Sequence, residues 1–191
     1  FALSFAVFFY PPDKIRRIFL RRKPAPEADG QPTLEHINVL KYFFVPYLLV
    51  QLFLPMRHYF IEGDVLWTEE GHRLSWRMML RERYGSTQFR IVDKNTKQVY
   101  YYDVMTVLTP KQKQGMDTKP DMIWQMAQYI KKEYAAKGID AAVYADTFAA
   151  TNRSPLRRLI NPATNLADVK WNYFFHCDWI LLYDKEGNVV K

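Results

Sequence analysis

The stretch 38–61, NVLKYFFVPYLLVQLFLPMRHYFI, constrains this chain more than any other part of it. Its length suits one bilayer crossing, which takes about 20 apolar residues in helical form. Lys41 can snorkel toward the entry side, and Pro46 is tolerable where neighbouring helices satisfy the freed carbonyl. Gln51 falls at mid-depth, where a polar group usually faces a bundle interior rather than lipid. The sequence therefore predicts a transmembrane helix over 38–61, with a buried core helix of a soluble protein as the competing reading. A second apolar run, FALSFAVFFY, occupies residues 1–10. No basic stretch precedes it and no small-residue cleavage site follows, so it does not read as a signal peptide. It is expected to be the end of a truncated transmembrane helix; the alternative is a hydrophobic strand or helix of a soluble core.

Between the two runs, Pro11-Pro12 stops a helix and DKIRRIFLRRK follows at 13–23, with six Lys or Arg in eleven residues. Beside an apolar run such a cluster reads as a positive-inside loop, so 11–37 is expected to be cytoplasmic. The breaker-rich PAPEADGQP at 24–32 serves as linker within it. Everything after Met56 then falls on the periplasmic or lumenal side. A formal charge of +7 would permit nucleic-acid contact, but no recognition motif accompanies the basic cluster, and no nucleic-acid partner is expected. One cysteine, Cys177, excludes an internal disulfide and any CxxC site.

The remainder reads as an α+β domain. Residues 87–91 and 98–102 are rich in Phe, Ile, Val and Tyr, and DKNTK between them supplies the turn of a β-hairpin. Residues 109–113 read as a loop. The segment 120–137 is the best helix, with Pro120 in its first turn, Asp121 complementing the dipole and Gly138 at its end. Met122, Met126, Tyr129, Ile130 and Tyr134 recur at helical spacing opposite Gln125, Gln128, Lys131 and Lys132, which predicts the buried stripe. Residues 141–148 and 179–183 read as later strands, and Gly187 as part of a terminal turn. The expected fold class is thus α+β: a transmembrane helix and a partial one, then an interfacial segment at 62–86 and a β-rich extracytoplasmic domain at 87–191.

Generic catalytic templates find no foothold. There is no GxGxxG, P-loop, GxSxG or HExxH, and His36, His58, His72 and His176 show no metal-ligand spacing, so no metal is expected. The segment 54–80, LPMRHYFIEGDVLWTEEGHRLSWRMML, is more distinctive, packing Arg57, His58, Trp67, Thr68, Glu69, Glu70, His72, Arg73, Trp76 and Arg77 into a short span. One reading is an interfacial belt. The other is the rim of a site where an apolar cofactor meets a polar substrate, with His58 and His72 able to move protons near neutral pH.

The runs LPMRHY at 54–59, WTEEGH at 67–72 and SWRMM at 75–79 resemble the vitamin K-dependent gamma-glutamyl carboxylase family, with the nearest likeness to its bacterial HTTM-domain members. LTPKQ at 108–112, KPDMI at 119–123, TNR at 151–153 and LINP at 159–162 follow in the family's order, and the likeness covers roughly residues 38–182. The resemblance implies an integral membrane enzyme, in a bacterium of the inner membrane with its C-terminal domain periplasmic, in a eukaryote lumenal. Such an enzyme oxidises reduced vitamin K, a naphthoquinol, with O₂; the base so formed removes a proton from a glutamate γ-carbon, and the carbanion captures CO₂. Implied partners are the upstream transmembrane half, a Glu-containing peptide and the lipid bilayer.

The resemblance also implies which residues border the substrate and quinone. His58 matches a histidine beside the family's active site, and the block 67–76, containing Trp67, Thr68, His72 and Trp76, matches its region of glutamate and quinone access. The family's catalytic base lies upstream, and nothing in this chain matches it, so no catalytic residue is expected here and the chain alone is expected to be inactive. The alternative is a non-catalytic, membrane-anchored domain that binds a peptide or partner.

Overall fold

A computed structural model describes residues 38, 40–75, 77 and 81–190. The expected partial helix at 1–10 and basic loop at 11–37 lie outside them. The chain divides into two units, Phe1–Val45 and Pro46–Lys191.

The expectation of a transmembrane helix over 38–61 is corrected by the structure. From Leu40 the stretch changes pitch twice: a π-helix Leu40–Phe44, an α-helix α1 (Val45–Met56) and a 3₁₀ turn Arg57–Phe60. Twelve residues rise about 18 Å, well short of the roughly 30 Å of a hydrocarbon core. Pro46 and Pro55 each lack the N–H that would extend a regular ladder. Beyond Met56 the chain turns back into the domain, where His58 and Ile61 are buried. No helix among the described residues is long and apolar enough to cross a membrane.

The core of the second unit is an antiparallel sheet of order β2-β1-β3-β4. Its members are β1 (Arg83–Asp93), β2 (Val99–Tyr102), β3 (Ala141–Thr151) and β4 (Arg157–Arg158). β1 alternates, burying Thr87, Phe89, Ile91 and Asp93 while Gln88 stays exposed, as a strand with one core face must. β3 lies between β1 and β4 and is buried along most of its length, with Arg83↔Thr151 and Asp93↔Ala141 at the ends of the β1–β3 ladder. The expected hairpin is present. Asp93 Oδ1 accepts the Asn95 N–H and Oδ2 the Thr96 hydroxyl, which organises the turn, and Lys97 takes the left-handed conformation there (φ 59°).

A 3₁₀ turn, Val104–Thr106, and two α-helices follow β2. α3 (Pro110–Met116) occupies the segment expected to be a loop. Its cause is local: the Thr109 hydroxyl accepts the Gln112 N–H while the Gln112 side chain accepts the Thr109 N–H, and Pro110 sits in the first turn. Thr109→Ala should lower the unfolding free energy by about 1 kcal/mol in urea titration, the usual worth of a cap. An unchanged midpoint would show that this helix is held by packing alone.

α4 (Pro120–Ala136) matches the expected helix and packs on β3. The buried stripe is rotated by about one residue from the expected one. Ile123, Met126, Ala127 and Ile130 are buried, whereas Tyr129 is exposed. Gln128 and Lys131 face the protein, donating to the carbonyls of Leu166 and Ala167, and so draw that side of the helix inward. After β4 the chain is irregular. The strand expected at 179–183 appears only as single bridges, Ile160↔Ile180 and Tyr183↔Val189. The Leu181 carbonyl accepts from the Trp67 indole, which removes it from any ladder.

Candidate functional site

The described residues between Gly63 and Arg83 gather around two adjacent acids. Asp64 accepts the Leu66 N–H and caps a single helical turn, α2 (Val65–Thr68). Glu69 closes that turn in the left-handed conformation (φ 61°), an uncommon state for a residue with a side chain. Glu69 and Glu70 then find separate sets of partners. Glu69 meets Arg81, Nε–Oε1 and Nη2–Oε2 both 2.5 Å, and Arg83 Nη1 at 3.3 Å. Glu70, 1% exposed, accepts the Cys177 N–H at 2.7 Å and pairs with His176 Nδ1 at 2.6 Å. Burial pushes both carboxyls above the usual range. Arg83 and Arg81 pull Glu69 back, and the hydrogen bonds from His176 and Cys177 pull Glu70 back.

Gly71 follows at φ 68°, and a Cβ there would stand 2.8 Å from His58 Cβ. Only glycine lets the loop close over that histidine. His58 is buried, with Nδ1 2.8 Å from the Pro55 carbonyl and Nε2 accepting from Arg77 Nε at 3.2 Å. Because Nε2 accepts, the ring proton sits on Nδ1 and is donated to Pro55. Trp67 donates its indole N–H to the Leu181 carbonyl and stands edge-on to Tyr183. The Thr68 hydroxyl is bonded to the Asp64 carbonyl and accepts from the Glu70 N–H. His72 lies against Arg81, whose Nη1 is 2.8 Å from Nε2. Trp76 lies outside the described residues.

These candidates do not converge on one space. His72 faces a cavity of about 420 Å³ that Glu69, Arg73, Arg77, Arg81 and Lys119 also line. Trp67 lines a different cavity of about 380 Å³, with Tyr183, Asp64 and Arg157. His58 has both ring nitrogens engaged, and Thr68 is buried beneath the loop. The four described candidates therefore border separate spaces or are enclosed by the loop.

The cavity at His72 is strongly basic. Among the described residues Arg73, Arg77, Arg81 and Lys119 share the lining with two acids, Glu69 and Asp121, both already in ion pairs. Asp121 Oδ2 holds Arg73, with Nη2 at 2.6 Å and Nε at 2.9 Å. Lys119 and Asp121 bracket the start of α4, so the positive end of that 17-residue helix adds to the local potential. Burial and then the charges of Arg81, Lys119, Arg77 and Arg73 hold the His72 pKa below its ordinary value of 6.5. The neutral imidazole is thereby favoured, and among the described residues the cations lining the cavity outnumber the acids by four to two. Its lining suits an anion: an excess of guanidinium and ammonium groups around a partly enclosed space.

Sequence reasoning singled out His72 but not Arg81, Lys119 or His176. Arg81 and Arg83 follow directly on the 54–80 block, and an acid pair followed by R-x-R was a readable signal. Lys119 and His176 come from distant elements that only the fold brings near. No solved structure matches the chain. The family model for the vitamin K-dependent gamma-carboxylase lumenal domain matches residues 36–186, most of the sequence. This chain thus belongs to the vitamin K-dependent gamma-carboxylase family, of which it carries the lumenal domain.

Proposed function

We propose that this domain receives the side chain of a peptide glutamate for a carboxylase-like enzyme, and that the basic cavity at His72 is where the carboxylate lodges. The excess of Arg73, Arg77, Arg81 and Lys119 over two already-paired acids is the observation that carries this reading. A glutamate entering from solvent gives up hydration, and converging guanidinium and ammonium donors offset that loss. Carboxylation replaces a γ-C–H by a C–C bond to CO₂ and adds a second carboxylate, so the same cations also suit the product. In this reading proton removal belongs to an upstream, membrane-embedded half, where reduced vitamin K, O₂ and CO₂ would act. This chain's own residues bind and orient. A lumenal position supports the reading, since a secreted peptide arrives from that side.

His72 gives the binding a pH signature. Its pKa is depressed in the free cavity, and a bound carboxylate favours the imidazolium, so affinity should rise as pH falls from 7.5 toward 5.5, while the peptide glutamate remains ionised. Calorimetric titration of the full chain with a Glu-containing peptide and its Gln counterpart tests this. The Glu peptide is expected to bind at least about tenfold tighter, consistent with charge-assisted bonding. Lys119→Glu should remove that preference, and His72→Gln should flatten the pH dependence. Equal affinity for the two peptides would overturn the reading. In the complete enzyme, quinol-dependent incorporation of labelled CO₂ into the peptide tests the reaction itself.

A further inference from the structure

The basic cavity has a neighbour. A second cavity of about 520 Å³ shares Glu69, Arg73, Leu74 and Asp121 with it. The two spaces differ in chemistry. Beyond the shared wall, the first is lined by His72, Arg77, Arg81 and Lys119, whereas the second brings in three aromatic rings, Trp124, Trp171 and Tyr173, with Arg57, Gln125 and Asn172 beside them. The Trp124 indole N–H is spent on the Val169 carbonyl, and Trp171 stacks edge-to-face on buried Trp179, ring centroids 5.8 Å apart. Both rings are thereby fixed, and their remaining surface is apolar. Tyr173 is 63% exposed, on a turn in which Asn172 Oδ1 accepts the N–H groups of Phe174 and Phe175. Leu74 is 61% exposed and held in the left-handed conformation (φ 67°), so the loop presents an apolar side chain at the boundary of the two spaces.

What divides the cavities is the Arg73–Asp121 pair. The Arg73 side chain is 64% exposed, so this ion pair contributes little to stability and is readily exchanged. A carboxylate arriving in the basic cavity competes with Asp121 for Arg73, and the partition between the spaces is then free to move. Charge complementarity fixes what occupies the first space, and continuity through the shared wall carries the same ligand into the second. Along an extended peptide neighbouring side chains lie within about 7 Å over two residues, a distance suited to adjoining cavities.

We infer that the two cavities are adjoining subsites of one peptide groove, the second selecting a large aliphatic or aromatic side chain within two residues of the acidic one. This rests on the reading that the basic cavity takes a peptide carboxylate. Trp124, Trp171, Tyr173 and Leu74 set the specificity of the second subsite, and Arg73–Asp121 is the movable divider.

The test is a set of short peptides titrated into the full chain: Glu flanked by Ser, Glu flanked by Leu at one or two residues, and Gln flanked by Leu. Glu/Leu is expected to bind about tenfold tighter than Glu/Ser, a discrimination apolar pockets commonly reach. Tyr173→Ser and Leu74→Ser alter exposed side chains and should leave the fold intact by circular dichroism. In each, the Glu/Leu to Glu/Ser affinity ratio should fall toward one. Equal affinities for Glu/Leu and Glu/Ser, with Glu still preferred over Gln, would overturn the second subsite and leave the carboxylate reading standing. A Leu preference undiminished in both variants would overturn the assignment of these residues. Loss of any Glu-over-Gln preference, with no effect of Lys119→Glu, would overturn the carboxylate reading itself and the groove with it.

Discussion

Replacing Glu69 by alanine is expected to lower the unfolding free energy by about 3–5 kcal/mol, the cost of leaving buried charges without their counter-ion. The Arg83 side chain is 5% exposed, so its guanidinium cannot turn to water without opening the domain, whereas that of Arg81, 12% exposed, borders the basic cavity. Arg83 Nη1 reaches the carbonyls of Leu66 and Trp67, but its Nε and Nη2 are buried and have no hydrogen-bond partner among the described residues. Glu69 is the carboxylate that pairs with both cations, and without it buried Arg83 loses its counter-ion. Adding Arg83→Met to the alanine variant should recover more than half of the loss, because a buried ion pair replaced by apolar groups is often nearly neutral. Urea unfolding of the two single variants and the double variant measures the coupling. A loss under about 1 kcal/mol for Glu69→Ala would mean that water reaches these arginines and that the pair is ornamental to the fold.

The features legible in the sequence were those with a local cause. The hairpin was written in its turn residues and in β-branched and aromatic flanks, and α4 in its proline, its periodicity and its terminal glycine. The capping box at Thr109 and Gln112 was equally local, but a threonine-proline start reads as a break unless the glutamine three residues on is weighed with it. Apolar content misled twice. Over 38–61 it matched a membrane span in length, although Pro46 and Pro55 already divided it into shorter helices of different pitch. Over 179–183 it matched a strand, although what that segment supplies is a carbonyl for Trp67. The family likeness was carried by the 67–79 block, and within it the role of each residue was not legible. Glu70 finds its partner 106 positions away, and Lys119 reaches the cavity because α4 begins there. Neither pairing leaves a mark in local spacing.

That long-range pairing carries the second large prediction. Glu70 ties the 62–86 segment to the irregular chain at 171–178 by accepting from the Cys177 amide and from His176. His176 is 4% exposed in its side chain and its Nε2 has no partner among the described residues, so Glu70→Ala takes away the bond at Nδ1 and orphans the buried Cys177 amide. The expected loss is about 3 kcal/mol or more, the sum of a charge-assisted bond and an unsatisfied N–H. Glu70→Gln should cost much less, since its carbonyl still accepts from Cys177 and its amide can donate to the other imidazole tautomer.

The lone cysteine reports where the loss is felt. Cys177 is 4% exposed, and burial pushes its thiol up to about 11, so a disulfide reagent at pH 8 should label the native chain slowly. In Glu70→Ala the rate should rise at least about tenfold through local release of 171–178, and the rate should respond weakly to low urea, as sub-global opening does. Glu69→Ala, destabilised to a similar degree on the other side of the same loop, is the internal control. Its labelling should proceed through global unfolding and climb steeply with urea. If both variants label at the same rate with the same steep urea dependence, Glu70 acts on the whole domain and does not hold the 171–178 segment in particular.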